Sequence, residues 1–272
     1  MPQVGYLKVK KFGPVSVAKI FAVLGVIIGV IVVIVGGITG ALKGPTGAAI
    51  GLAVGLVILI ALAIGLFLGG AIEAWLYNAI VKIVGPIRIS ITKKGVISKV
   101  DPLSYAKVAF VFSLIIFVIL AVFGASALLA TIGVSSAVGI GLSLPLIAAA
   151  FVFALLVYGF ILPLVWATVY NWLAETIGGV AIVLKKGIVE SVDISSYVKI
   201  IVTLSVIIFV VEKAIGTVVG FALGIPQTGG ILLIAGTFVG LVIVSIVGNA
   251  ILAFLYNKVA KKIGGIQVDI SK

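Results

Sequence analysis

The sequence predicts an all-α membrane protein: six transmembrane helices form three helical hairpins around an approximate threefold axis, with small cytoplasmic β-hairpins. Composition indicates the membrane, because 63% of the 272 residues are hydrophobic and only 10% are charged, whereas soluble domains carry about 25% charged residues. Long uncharged runs indicate the helices. A pair of motifs that occurs three times along the chain indicates the hairpins.

The uncharged runs are long enough to cross a bilayer. They contain no Asp, Glu, Lys or Arg and cover residues 20–41, 46–72, 108–174 and 214–257. A helix needs about 20 residues to cross a hydrocarbon core of about 30 Å, so the longest runs hold more than a single crossing. The first apolar segment is too long for a signal-peptide core and lacks an A-x-A cleavage site, so we interpret it as a transmembrane helix.

Two recurring motifs divide the chain into three repeats. A start motif reads FGPVSVAKI from Phe12, VDPLSYAKV from Val100 and VDISSYVKI from Val192. A closing motif reads YNAIVKIVGPIRISI from Tyr77, YNWLAETIGGVAIVL from Tyr170 and YNKVAKKIGGIQVDI from Tyr256. The predicted repeats are 1–92 (helices about 17–40 and 46–83), 93–184 (helices about 104–130 and 145–177) and 185–272 (helices about 196–221 and 228–263).

Each start motif combines a serine with a lysine. The serine hydroxyl is expected to accept a hydrogen bond from a free N–H of the first helical turn, and the lysine stem is long enough to bring its ammonium to the membrane interface. A proline suits the first turn of each second helix. The residues are Ser16, Ser104 and Ser196; Lys19, Lys107 and Lys199; and Pro45, Pro145 and Pro226.

The closing motifs combine Tyr-Asn with a glycine and a strand pattern. We expect the tyrosines to join an interfacial aromatic belt with Trp75, Trp166 and Trp172, and the asparagines to cap helices or hydrogen-bond to the β-layer. The motif residues are Tyr77, Asn78, Gly85, Tyr170, Asn171, Gly178, Tyr256, Asn257 and Gly264.

The residues after each motif glycine alternate with period two, which predicts a half-buried strand. These runs are I-R-I-S-I from Ile87, V-A-I-V-L from Val180 and I-Q-V-D-I from Ile266. A Lys-Lys-Gly turn follows the first two and predicts β-hairpins. The third hairpin is divided between residues 265–270 and 6–12, so we predict that the two ends of the chain pair and close the ring.

Charge predicts the orientation. Of the 19 basic residues, 17 lie in the motifs and the segments between them, whereas the hairpin loops hold only Lys43 and Lys213. By the positive-inside rule, the termini and both connecting segments are cytoplasmic in a multi-pass protein of the cell membrane. We assign the net charge of +12 to the membrane surface and expect no nucleic-acid partner.

The motifs also resemble a known family. V-D-P-x-S-x-x-K-V before one helix and Y-N-x-x-x-x-x-I-G-G-I-x-V-x-L after the next are similar to the two-helix transmembrane domain of unknown function found in actinobacterial membrane proteins. The middle repeat carries both almost entire, from Val100 and from Tyr170. The other repeats depart from the pattern at Gly13, at residues 84–86 and at Ile194. The resemblance covers the motif ends of every repeat and implies a two-helix unit without a known activity.

The residue types argue against an enzyme. The chain has no His and no Cys, which removes the commonest general base, metal ligand and thiolate nucleophile. Asp101, Asp193 and Asp269 are each separated by a whole repeat, and no P-loop, dinucleotide fingerprint or Gly-x-Ser-x-Gly elbow is present. We therefore expect no catalytic residue, no metal site and no cofactor.

Few polar groups lie within the apolar runs. Charged groups inside a membrane often mark transport paths, but Glu73, Glu212 and Lys213 are expected close to an interface. Asn249 on the last helix is expected to hydrogen-bond across a helix contact. Pro163 is expected to kink the fourth helix.

Glycines spaced four residues apart are frequent in the apolar runs; the favoured interpretation is close helix packing within one chain, and the alternative is a role in subunit association. They are Gly25 and Gly29; Gly47, Gly51 and Gly55; Gly216, Gly220 and Gly224; and Gly236 and Gly240.

Two functional classes follow from these observations. The first is a structural or assembly component of the membrane that contacts the lipid bilayer and associates with itself or with another membrane or surface protein. The glycine-rich faces and the nearly uncharged outer loops favour it. The second is a channel or transporter with a path along the pseudo-threefold axis, since internal repeats are common in transporters. We favour the first because the repeats are parallel and no charge lies at the centre of a helix.

Overall fold

A computed structural model of the chain describes residues 6–132, 152–222 and 231–272. These residues are mostly helical and include six helices that are long and apolar enough to span a membrane. The predicted number of transmembrane-length helices is therefore confirmed. The helices are α1 (Pro14–Ala41), α2 (Pro45–Val84), α3 (Pro102–Ile132), α4 (Val152–Gly178), α5 (Ile194–Ala222) and α6 (Ile231–Ile263).

The helix ends follow proline and glycine. Pro45 occupies the first turn of α2, as predicted, while Pro145 and Pro226 lie outside the described residues. At the other end, the closing-motif glycines Gly85, Gly178 and Gly264 have φ values of 86°, 89° and 88°. A left-handed backbone at this point stops a helix, and only glycine adopts it without a steric penalty. The glycine of each closing motif thus ends the helix and turns the chain into a strand.

Helices α1 and α2 pack closely through glycines. A Cβ atom on Gly29 would lie 2.7 Å from Leu59 Cα, and one on Gly55 would lie 2.7 Å from Val33 Cα. Gly25, Gly47 and Gly51 likewise face backbone atoms of the opposite helix. Packing within the chain is thereby confirmed for these glycines.

Other glycines have different surroundings. A Cβ atom added to Gly236 or to Gly240 on α6 would have no described heavy atom within 4 Å beyond its chain neighbours and the nearby backbone of its own helix. The surroundings of Gly216, Gly220 and Gly224 lie outside the described part of the chain. Of the spaced glycines that the structure describes, those of the first hairpin therefore pack within the chain.

Helix α4 is irregular where the sequence places a proline. Residues Leu155–Ile161 form π-helical turns, and the regular α-helical segment Leu162–Leu173 follows with Pro163 in its first turn. Proline cannot donate to the carbonyl four residues earlier and its ring crowds that carbonyl. The wider π-helical turns before Pro163 accommodate both effects.

Six strands form a single sheet at one end of the helices. The strands are β1 (Leu7–Phe12), β2 (Ile87–Ile91), β3 (Ile97–Val100), β4 (Ile182–Lys185), β5 (Ile188–Val192) and β6 (Ile266–Ser271). The predicted strands from Ile87 and Ile266 begin at those residues, whereas the one predicted from Val180 begins at Ile182. Sequence alone predicted separate hairpins. In the structure they join in the order β3-β2-β1-β6-β5-β4.

The predicted pairing of the chain ends is confirmed. Strand β1 pairs antiparallel with β6, with Val9 opposite Ile270 and Phe12 opposite Val268. At the outer strands of the order, Val96 next to β3 forms an antiparallel bridge with Ala181 next to β4. The six strands therefore follow one another around a closed ring.

The two intact hairpin turns use backbone conformations that favour glycine. Gly95 has a φ of 78°, and Lys186 and Gly187 have φ values of 48° and 74°. The successive positive φ values of Lys186 and Gly187 match a type I′ turn, whose twist suits a two-residue hairpin loop. The register shifts once within each hairpin, between Val9 and Lys11, between Ser90 and Ile91, and between Val183 and Leu184.

The α1–α2 contact gives a matched pair of glycine substitutions. Gly29→Ala places a methyl group 2.7 Å from a backbone atom of α2, and overpacking of this kind costs roughly 1–3 kcal/mol. Gly65→Ala on α2 is the control, because no heavy atom lies within 4 Å of its Cβ position. We expect thermal unfolding in detergent, followed by circular dichroism, to show a lower midpoint for Gly29→Ala only. Equal midpoints would contradict the close packing of α1 on α2.

Candidate functional site

The recurrent asparagines hold the sheet to the second helix of each repeat. The Oδ1 of Asn171 accepts a hydrogen bond from the backbone N–H of Val100 at 2.7 Å, and its Nδ2 donates to the carbonyl of the same residue at 2.7 Å. Asn78 makes the same pair of bonds with Phe12 at 2.9 and 2.8 Å, and Asn257 makes it with Val192 at 2.8 and 2.8 Å. The predicted hydrogen bonding of these asparagines to the β-layer is confirmed.

The preceding tyrosines bind the same strands three residues earlier. The hydroxyl donates to a carbonyl in each case: Tyr77 to Val9 at 2.5 Å, Tyr170 to Ile97 at 2.7 Å, and Tyr256 to Val189 at 2.5 Å. We call each Tyr-Asn pair with its strand a clasp. Each clasp joins the second helix of a repeat to the strand that precedes the first helix of the same repeat.

The placement of Tyr77 differs from the predicted aromatic belt. Its side chain is buried, only 8% exposed, because its hydroxyl reaches into the sheet and not toward lipid headgroups. Trp75 and Trp172 are 62% and 58% exposed, which fits the belt. Trp166 instead packs beside the cluster of Leu173 and Ile200.

The start-motif serines do not cap their helices, contrary to the prediction. Each helix begins before the serine, so Ser104 Oγ donates to the Asp101 carbonyl at 3.0 Å and accepts from the Arg88 N–H at 3.0 Å. Ser196 bridges Asp193 and Ala181 in the same way. Ser16 bridges Gly13 and Gln267. Each serine therefore joins the start of a helix to the first strand of the neighbouring hairpin or, for Ser196, to the residue directly before that strand.

Aspartates supply the caps that were expected of the serines. Asp101 Oδ1 accepts from the backbone N–H groups of Leu103 and Ser104 at 3.0 and 3.1 Å, and Asp193 Oδ1 accepts from that of Ser196 at 2.7 Å. An aspartate directly before a helix is typical of an N-cap, and this position could have identified both residues from the sequence. Gly13 occupies the corresponding position of α1, which has no side-chain cap.

Three apolar clusters lie beside the clasps, and each joins two different repeats. Ile20 of α1 packs with Val259 and Ala260 of α6. Val108 of α3 packs with the α2 residues Tyr77, Ile80 and Val81, and Ile200 of α5 packs with Leu173 of α4. Ile20, Val108 and Ile200 stand four residues after the three start-motif serines and are 1%, 5% and 0% exposed. The starting helix of each repeat is thus anchored on the closing helix of another.

The start-motif lysines lie on the surface beside these clusters. Lys19, Lys107 and Lys199 are exposed, and the ammonium of Lys199 donates to the Ile177 carbonyl near the end of α4. Their predicted reach toward a membrane interface stays a prediction.

Several acidic side chains near the sheet form ion pairs. Arg88 pairs with Asp101, Lys99 with Glu175 at 3.0 Å, and Lys185 with Glu190 at 2.8 Å. The hydrogen bond from Lys99 to Glu175, together with the charge of that carboxylate, raises the pKa of the Lys99 ammonium. Among the described residues, no group of three His, Cys, Asp or Glu side chains is placed to hold a metal ion.

The candidate intramembrane polar residues whose side chains the structure describes have different surroundings. Glu73 is exposed on α2, and the Lys213 ammonium lies 5.4 Å from the centre of the Phe209 ring. The side chain of Glu212 lies outside the described part of the chain. Asn249 accepts a hydrogen bond from the Tyr197 hydroxyl of α5 at 3.3 Å and donates to Ser245 at 2.8 Å, which confirms its predicted bond across a helix contact.

Comparisons of the chain with protein-family models, with curated proteins and with solved structures gave no significant match. The resemblance to the actinobacterial two-helix domain therefore stays an expectation from the motifs.

Removal of one clasp side chain should destabilise the sheet locally. Asn171→Ala leaves the N–H and the carbonyl of Val100 without their partners, at a cost of roughly 1–3 kcal/mol for each buried group. We expect faster hydrogen–deuterium exchange in residues 97–100 and a lower unfolding midpoint. Thr168→Val is the control, because the Thr168 hydroxyl is exposed and bonds only within α4. Unchanged exchange in Asn171→Ala would contradict the role of the clasp.

The missing cap of α1 can be restored from the pattern of the third repeat. Gly13→Asp with Gln267→Ala reproduces the pair formed by Asp193 and Ala181, and it removes Gln267 Oε1, which lies 2.9 Å from the Cβ position of residue 13. An N-terminal carboxylate should stabilise the helix by about 0.5–1 kcal/mol. The test compares the unfolding midpoint of the double variant with that of Gln267→Ala alone. A double variant no more stable than the single one would be the contrary result.

Proposed function

We propose that the chain is a non-catalytic structural component of the cell membrane, built as three helical hairpins around a pseudo-threefold axis and closed on the cytoplasmic side by the β-ring. Its partners in this role are the lipid bilayer and either further copies of itself or another membrane or surface protein. The proposal includes no cofactor and no nucleic acid.

The use of the recurrent polar side chains carries the proposal. The three closing-motif Tyr-Asn pairs and the serines Ser16, Ser104 and Ser196 all make hydrogen bonds to backbone groups of the sheet or of the adjacent helix start. A catalytic or transport residue must instead present its polar atoms to a substrate or an ion. The motifs that recur in this sequence therefore serve architecture.

Corresponding strand pairs support the pseudo-threefold arrangement. The three junctions between hairpins pair Val96 with Ala181, Ile188 with Gln267, and Lys8 with Arg88. In each pair, the first residue stands four positions before the last residue of β3, β5 or β1, and the second stands eleven positions after a closing-motif tyrosine. One contact is thus repeated at matching positions around the ring.

The buried apolar residues at the helix–sheet junction favour a structural role over a channel. Ile20, Val108 and Ile200 are at most 5% exposed and offer no polar atom to a permeating solute. We expect proteoliposomes to show no ion flux above that of empty vesicles, with gramicidin as the positive control. Flux that depends on the protein would contradict the structural role and support the alternative of a channel or transporter.

An intact complex provides the complementary measurement. Protein extracted from native membranes in polymer nanodiscs, without detergent, is expected to have a discrete mass above the 27.8 kDa of one chain. A single chain in the nanodisc would contradict an assembly role.

The orientation is testable because the chain has no cysteine. Single cysteines at Thr46 and Lys186 replace exposed residues at opposite ends of the molecule. In intact cells, a membrane-impermeant maleimide should label the cysteine at residue 46 and should label that at residue 186 only after permeabilisation. Labelling of both from one side would contradict the hairpins, and a reversed pattern would contradict only the cytoplasmic position of the ring.

A further inference from the structure

Five lysines lie close together on one side of the β-ring. They belong to β1, to the turn between β4 and β5, and to the residue directly after β6, and we call them the basic face: Lys8, Lys10, Lys11, Lys186 and Lys272. All five are exposed. Val9 is buried, and alternation along β1 places Lys8 and Lys10 on the opposite side of the strand. The register shift between Val9 and Lys11 marks a bulge, where an extra residue lets Lys10 and Lys11 both be exposed.

Strand pairing brings the lysines of β1 next to the end of β6. Lys8 lies opposite Ser271, and Lys11 lies opposite Asp269. The Cα atoms of residues paired in this way are about 4.5–5.5 Å apart. Lys272 directly follows Ser271, so it lies near Lys8.

The turn between β4 and β5 leans on the same two strands. The carbonyl of Gly187 accepts a hydrogen bond from the N–H of Val268 in β6 at 2.7 Å. Lys186 and Lys11 line one cleft, together with Asp269, between this turn and the β1–β6 pair. Lysines from two different hairpins therefore share one space on the surface of the ring.

The charge of the basic face is not compensated among the described residues. The three ion pairs there use Arg88, Lys99 and Lys185, and none of the five lysines of the basic face takes part in them. An open sheet edge would explain exposed lysines, because charge prevents pairing with other chains. Strand β1 has no open edge, since it pairs with β2 on one side and with β6 on the other.

The corresponding strands of the other repeats do not concentrate positive charge. The two residues before the last residue of the strand are Lys10 and Lys11 in β1, Ser98 and Lys99 in β3, and Glu190 and Ser191 in β5. Lys99 is paired with Glu175. All three strands lead directly into a transmembrane-length helix, so the positive-inside rule acts on them equally and does not explain the difference. The basic face is a property of one side of the ring.

We propose that the basic face binds an acidic segment of another protein, with carboxylate side chains on the lysines of β1 and of the β4–β5 turn. Like charges closer than the Debye length, about 10 Å at 0.1 M salt, repel one another, and carboxylates between them offset this repulsion. A second copy of the chain is a poor source of these carboxylates, because it has 7 acidic residues against 19 basic ones. The inference rests on the proposed assembly role and names the class of partner, and it holds for either orientation in the membrane.

Asp269 favours a protein segment over a nucleic acid. Its exposed carboxylate lies opposite Lys11 and lines the cleft between the lysines. A nucleic acid carries a phosphate at every nucleotide and would bring negative charge onto this carboxylate. A peptide is able to place a neutral or basic residue there and acidic residues on either side.

Fluorescence anisotropy with the full-length protein in nanodiscs of phosphatidylcholine tests the proposal, because this lipid adds no net charge. The probes are a labelled peptide of ten glutamates and a labelled oligouridylate with ten phosphates. We expect the peptide to bind, to bind more tightly than the oligouridylate, and to lose affinity as salt is raised. No binding of the peptide by the unaltered protein would overturn the proposal, and tighter binding of the oligouridylate would overturn the choice of a protein partner.

Two triple variants with the same change in net charge locate the site. Lys10→Gln, Lys11→Gln and Lys186→Gln together should weaken binding of the glutamate peptide at least about fivefold, since each exposed charge contact contributes up to about that factor. The control replaces three exposed lysines outside the basic face by glutamine: Lys82, Lys93 and Lys94. The control should keep the affinity of the unaltered protein, and an equal loss in both variants would overturn the site.

A variant with the opposite effect keeps the test decisive if the triple variant fails to fold. Asp269→Asn removes the carboxylate from the cleft and should tighten binding of the glutamate peptide severalfold. Glu175→Gln makes the same change in net charge outside the basic face and should leave the affinity unchanged. Equal affinities of these two variants would overturn the site. Ion flux and the mass of the native complex are measured without the peptide, so failure of peptide binding is distinguishable from failure of the structural role.

Discussion

The structure depends on the pairing of backbone groups where helices change into strands. An unpaired N–H or carbonyl costs most in surroundings that exclude water, and each repeat has such a point directly before its first helix. A single asparagine satisfies both backbone groups of one residue there, as Asn171 does for Val100. The tyrosine before it satisfies a further carbonyl. The position of each hairpin relative to the sheet follows from these bonds.

Ring closure is the second consequence of this arrangement. An open sheet exposes unpaired groups along its edges and invites association with other chains. In this sheet β1 pairs with β6, and the bridge between Val96 and Ala181 joins the two ends of the strand order. The serines add further bonds at each helix start, so the ring and the helices form one hydrogen-bonded layer. Lysines on the sheet, such as Lys10 and Lys186, remain exposed.

Much of this architecture could be predicted from the sequence. Uncharged runs predicted the six helices, and period-two alternation predicted strands at Ile87 and Ile266, because apolar length and alternation can be read directly from the residue types. The role of Ser104 could not be predicted in the same way, since serine suits both an N-cap and a bond to a neighbouring strand. Asp101 decided between them, because it occupies the cap position itself. The burial of Tyr77 was likewise not visible, since an aromatic residue near a helix end suits both a lipid interface and a sheet contact.

The hydrogen bond between Ser16 and Gln267 joins residues 251 positions apart. The hydrogen bonds of β1 with β6 have similar separations, so the first strand cannot complete its pairing until all six helices have been synthesised. Contacts of such long range slow folding, because the chain loses conformational freedom before it gains the contact. Phe12 can already be held by Asn78 once the first hairpin exists. The clasp of the first repeat is therefore able to hold β1 at the end of α2 before β6 has been synthesised.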